Sequence, residues 1–101
     1  MLRQKISFIN GEEMNRLHPA TFEIPSENFR RNVPDGAYVK VGLKKEGEMS
    51  ERFWAKVTKS RVVDGNIRYE AEVSNDLVFY NYKFGDKIGF GPENVLGYTE
   101  N

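Results

Sequence analysis

The chain has 101 residues, 39 % hydrophobic and 13 % aromatic, which suits one domain with one core and leaves little room for a deep enclosed catalytic chamber. Formal charge balances at 15 basic and 15 acidic residues, and the absence of cysteine excludes disulfides, thiolate metal sites and a cysteine nucleophile. Missing disulfides at this size point to the cytoplasm.

Met1-Leu2-Arg3-Gln4-Lys5-Ile6-Ser7-Phe8 has no continuous apolar run, so no signal peptide is expected. No stretch approaches the roughly 20 apolar residues of a membrane-spanning helix. Residues 1–45 hold eight basic and five acidic residues, and residues 46–101 hold seven and ten. That asymmetry reads as a mixed surface, not as the basic footprint of a dedicated DNA binder.

Asn10-Gly11-Glu12-Glu13 predicts a helix start, with Asn10 as cap and Glu13 reaching back. The helix should run through Met14 and Leu17 and stop before Pro19. A second short helix is expected from Ser26, with Phe29 and Val33 on one face, ending before Pro34. Pro34-Asp35-Gly36 is a turn, after which the apolar period changes to two.

Three alternating runs then predict half-buried antiparallel strands: Tyr38–Leu43, Arg52–Lys59 and Ile67–Val73. Val39, Val41, Leu43, Phe53, Ala55, Val57, Ile67, Tyr69, Ala71 and Val73 are expected to form the inward face. Keeping Val57 and Ala71 on one face requires opposed residue numbers with an even sum. A three-residue loop, Val63-Asp64-Gly65, meets that condition and sets Lys56 opposite Glu72.

Asn75-Asp76 reads as a tight turn and Leu77–Tyr80 as a short apolar strand. Phe84-Gly85-Asp86 leads into Lys87–Phe90, and Val95–Tyr98 is expected to close the sheet. The expected fold class is α+β: a small, strongly bent antiparallel sheet or a partly open SH3-like β-barrel, with one or two short N-terminal helices.

An ordered series of pieces carries a resemblance. It comprises Thr21-Phe22-Glu23-Ile24-Pro25, Gly36–Val41, Glu51–Thr58, Asn75–Phe79 and Lys83–Ile88. The chain resembles the bacterial and phage family called domain of unknown function 2314, the YegJ-like group, over residues 19 to about 98. The resemblance implies a compact α+β domain with a curved sheet and no known activity. It leaves residues 1–18 as an N-terminal helical extension of a single domain, 1–101. Glu46–Ser50 departs from the family as an insertion-like stretch.

The most informative residue is Trp54, which alternation places opposite the core face with Tyr38 beside it. The two can form a recognition patch flanked by Lys40 and Lys56. The competing expectation is that the N-terminal helices cover this face and Trp54 builds a second, smaller core. Asn75 and Asp76 can address a ligand or simply serve their turn. His18 is the only histidine and reads as a helix C-terminal residue, with no partner for a zinc site.

Glu70 and Glu72 share a strand face with Lys40, Lys56 and Arg68, a solvated mixed-charge surface. Glu46, Glu48 and Glu51 match no calcium loop. No phosphate-cradling loop, nucleophile elbow or dinucleotide fingerprint occurs. No cofactor or metal is therefore expected.

The expected function is a small cytoplasmic protein-binding module rather than an enzyme, as a monomer or homodimer and without a membrane partner. The binding residues would be Trp54, Tyr38, Lys40, Lys56, Asn75 and Asp76, or the edge strand at Leu77–Tyr80. The alternative is a small barrel for single-stranded nucleic acid, using the same aromatic and lysine side chains. Least favoured is an enzyme of small-molecule chemistry, which would need a deep pocket around Asn75, Asp76 and Glu72.

Overall fold

The computed structural model describes residues 6–99. The expectations on Met1–Lys5 and on the last two residues lie outside that range. Six strands form one curled antiparallel sheet, a half-barrel, accompanied by two short helices.

Strand β1 (Ser7–Phe8) is followed by helices α1 (Gly11–Leu17) and α2 (Glu27–Arg30). Strands β2 (Tyr38–Lys44), β3 (Glu51–Val63) and β4 (Asn66–Val73) form the sheet's centre. They are followed by β5 (Lys87–Phe90), a 3₁₀ turn at Pro92–Asn94 and β6 (Gly97–Tyr98). The order is β1-β2-β3-β4-β5. β6 joins β1 on the same edge of β2: β1 pairs at Leu43 and Lys44, β6 at Val39 and Lys40.

Alternation in β2, β3 and β4 sends Val39, Val41, Phe53, Ala55, Val57, Tyr69, Ala71 and Val73 into the concave side, where they form the core with Phe90 and Val95. A buried phenol needs partners, and Tyr69 has them. Its hydroxyl donates to Arg30 O at 2.8 Å and accepts from Val33 N at 3.2 Å. The segment after α2 is thus fixed over the core.

Asn10 caps α1 by accepting from Glu13 N at 3.0 Å, and His18 is its C-cap residue. Ser26 caps α2 through Phe29 N at 3.2 Å. This second helix ends at Arg30, not near Pro34, so Val33 reaches the core from an extended segment rather than from the helix face of Phe29. Arg30 explains the stop: its backbone carbonyl is used by Tyr69. Its buried guanidinium pairs with Glu12 and donates to Pro25 O and Pro92 O. One arginine therefore ties both helices to the 3₁₀ turn.

The β3–β4 register keeps Val57 opposite Ala71 and Lys56 opposite Glu72. The connection differs from expectation. It is a two-residue Asp64-Gly65 turn, with Val63 opposite Asn66 and both turn residues at positive φ, 51° and 79°. Those angles suit the twist of a hairpin. Thr58 absorbs the spare residue as a bulge, beyond which Lys59 pairs with Glu70, and its hydroxyl donates to Glu70 O at 3.1 Å.

The expected strand at Leu77–Tyr80 does not form. Residues 74–86 make a loop between β4 and β5 instead. The helices also do not lie over Trp54. α1 and α2 pack on the 3₁₀ turn, and the N-terminal segment reaches the outer side of β2 and β3 at Ile9, whose Cδ1 would meet a Cβ added at Gly42 at 2.6 Å, and at Phe22, beside Arg52.

Candidate functional site

Two surfaces gather the residues singled out above. The first is the outer face of the sheet. Cross-strand pairing sets Tyr38 against Lys56, Lys40 against Trp54, and Lys56 in turn against Glu72. Lys40 Nζ lies 4.3 Å from the Trp54 ring centroid, a cation–π contact worth about 0.5–1 kcal/mol at a partly exposed site. Trp54 is half-buried, Tyr38 and Lys56 are exposed. Arg52, on the same face, packs its guanidinium 4.9 Å from the Phe22 ring. The expected grouping of Trp54, Tyr38, Lys40 and Lys56 is thus a real neighbourhood of four side chains.

Asn75 and Asp76 belong elsewhere. Asn75 Oδ1 accepts from Trp54 N at 2.9 Å, and Asp76 Oδ1 accepts from Phe84 N at 2.9 Å. Both side chains are committed to the local backbone. None of the three cavities described is lined by Asn75, Asp76 or Glu72. The largest, about 810 Å³, opens between α1, the 3₁₀ turn and the β3–β4 hairpin. Two of its three arginines face carboxylates: Arg61 faces Glu70 at 3.7 Å and Arg68 faces Glu93 at 3.9 Å. Among the described residues no three His, Asp or Glu side chains gather as a metal site.

The second surface includes part of the run expected as an edge strand, Leu77–Tyr80, and adds Phe84, which sequence reasoning did not single out for binding. In the 74–86 loop, Leu77, Tyr80 and Tyr82 pack against the core, and the Tyr80 hydroxyl donates to Met49 O at 2.8 Å. Between and beyond them, Val78, Phe79 and Phe84 are 81 %, 57 % and 73 % exposed. The backbone that displays them is held by acceptors. Glu51 takes Val78 N and Phe79 N, each at 2.7 Å, one on each carboxylate oxygen. Asp86 Oδ2 accepts from Lys83 N at 2.8 Å, and Leu77 N donates to Tyr82 O at 3.0 Å. Gly85 N and Val73 N complete the base through Val73 O and Asp86 O.

The signal in the sequence was the apolar run Leu77–Tyr80 itself. Its resolution into inward and outward side chains depends on Glu51, 27 residues away from Val78.

Single exposed apolar side chains are ordinary in any fold. Three large ones on one pinned loop are not required by local folding, because Leu77, Tyr80 and Tyr82 already meet the core. Charge-assisted bonds from a carboxylate to two successive N–H groups are among the stronger ways to hold a loop. No family model, curated protein or solved structure matches this chain.

Proposed function

We propose that this chain is a non-catalytic binding module for a protein partner, engaged through Val78, Phe79 and Phe84. The observation that carries the reading is the exposure of these three side chains on a backbone already ordered by Glu51, Asp76 and Asp86. Binding is weakened by the entropy of ordering a loop, and a pinned loop avoids most of that loss. Aromatic side chains that bury large area at low rotamer cost are the usual anchors of an interface. The partner would offer an apolar cleft wide enough for a phenyl ring.

Within this reading the chain works in the cytoplasm of a bacterium or its phage, as a YegJ-like relative whose half-barrel is SH3-like. The missing cysteines and the residue series from Thr21 to Ile88 support that setting. Strand addition at Leu77–Tyr80 is no longer part of it, since those residues form no edge strand.

The test is affinity capture from the source organism, followed by reconstitution with the purified partner. The triple variant Val78→Ser, Phe79→Ser, Phe84→Ser should weaken the reconstituted complex by about thirtyfold or more, the effect of losing an interface anchor. A partner held equally well by the triple variant would rule the loop out as the binding surface.

A further inference from the structure

The chain is neutral as a whole, but its charge is not spread evenly over the sheet. On the outer face the paired stretches of β2, β3, β4 and β5 present Lys40, Arg52, Lys56 and Lys87 against the carboxylates of Glu70 and Glu72. Alternation puts all six side chains on the side away from the core. Glu51, Asp76 and Asp86 point their carboxylates at backbone N–H groups of the 74–86 loop. Beyond the Thr58 bulge the same side continues with Lys59 and Arg61 opposite Glu70 and Arg68.

Among these cations stand aromatic rings. Tyr38 is exposed on β2, and Trp54 lies diagonally from it on β3, with Cα atoms about 7–8 Å apart by sheet geometry. Phe22 borders the patch beside Arg52. A polyanion with flat unpaired rings matches this surface: phosphates meet the lysines and arginine, and bases stack on the aromatics. A purely acidic peptide would use the cations and leave the rings idle.

We propose that the outer sheet face around Tyr38, Lys40, Trp54 and Lys56 is a binding platform for single-stranded nucleic acid. Lys40, resting on Trp54, moves from the ring to a phosphate as a base takes its place. Arg52, Lys56 and Lys87 follow the backbone. This platform uses other side chains than Val78, Phe79 and Phe84, so the two proposals stand or fall separately.

The test is fluorescence anisotropy of a labelled oligothymidine of ~15 nucleotides titrated with the full chain. Four phosphate contacts to a single strand give a log–log salt slope of about −3, or about a fiftyfold loss of affinity between 50 and 200 mM salt. Lys40→Ala with Lys56→Ala should cut that slope by about half. Lys56→Ala with Lys87→Ala should do the same without touching the Trp54 contact, which guards against a folding artefact. Tyr38→Ala should cost about fivefold or more in affinity at constant slope. Trp54 emission should be quenched on binding and become less accessible to acrylamide. The triple serine variant of the loop should bind the oligonucleotide as the parent does.

Absence of binding at about 50 mM salt would overturn the proposal. So would an unchanged slope in both lysine pairs, tighter binding of a duplex of equal length, or equal competition by polyglutamate. The last result would mark the face as a site for acidic peptides.

Discussion

The two ends of β4 solve the same problem in different ways. At its start the chain reverses in two residues, Asp64 and Gly65, by adopting positive φ at both. At its end the chain takes residues 74–86 to reach β5. The short turn needs only backbone conformation. The long loop is shaped by side chains borrowed from β3 and from its own ends: Glu51, Asn75, Asp76 and Asp86. The first device fixes register and displays little. The second holds an irregular backbone in place while leaving three large apolar side chains outside. A surface for recognition grows from the region whose conformation is imposed from a distance.

The comparison breaks most sharply at Glu51. Glu51→Ala leaves Val78 N and Phe79 N without their acceptor, and the loss should be about 2–3 kcal/mol, given charge-assisted bonds. Amide hydrogen exchange should quicken across residues 77–82, while the amides of β3 and β4 near the Asp64-Gly65 turn keep their protection. Equal acceleration at both ends of β4 would mean that the loop is not held separately. Asp76→Ala removes one acceptor, that of Phe84 N, and should cost about 1–2 kcal/mol, with Phe84 the most affected amide.

At the other end the expected effect is smaller and purely conformational. A Cβ at Gly65 meets nothing within 4 Å, so Gly65→Ala costs only the strain of an L-residue at φ +79°, about 1 kcal/mol. Thermal unfolding should fall by about 4–8 °C, with no change in exchange at residues 77–82. A loss much above that would show that the turn packs against something.

The same contrast explains what could be read from the sequence. The inner faces of β2, β3 and β4 were legible because one buried side forces a period of two. The pairing of Val57 with Ala71 followed from parity alone. The turn was not legible. A two-residue turn with a bulge at Thr58 keeps the same parity below the bulge as a three-residue loop without one, so alternation cannot separate them. Leu77–Tyr80 was misread as a strand because an apolar run looks alike in both states. Its partners, Glu51 and Met49, lie far along the chain. The buried Arg30 was likewise invisible, since its roles depend on Glu12, Pro25 and Pro92 meeting in space. The outer-face group of Tyr38, Lys40, Trp54 and Lys56 emerged intact, because strand pairing of alternating runs determines it.

The smallest expected effect on stability is also the most discriminating. If Val78, Phe79 and Phe84 were apolar because the fold needs them, replacing all three by serine would lower stability as core truncations do, by about 2–5 kcal/mol each. If they are displayed for a partner, each is already in water, and surface changes of this kind stay within about 0.5 kcal/mol. Removing exposed apolar area can even raise the midpoint slightly by suppressing self-association. Denaturant unfolding of the triple variant should therefore match the parent in midpoint and slope, with hydrogen exchange at residues 77–82 unchanged because Glu51 still holds the backbone. A destabilised triple variant would mean that these side chains fold back onto the barrel. An unchanged one leaves their exposure without a structural purpose, and that is the condition under which a binding role for the loop follows.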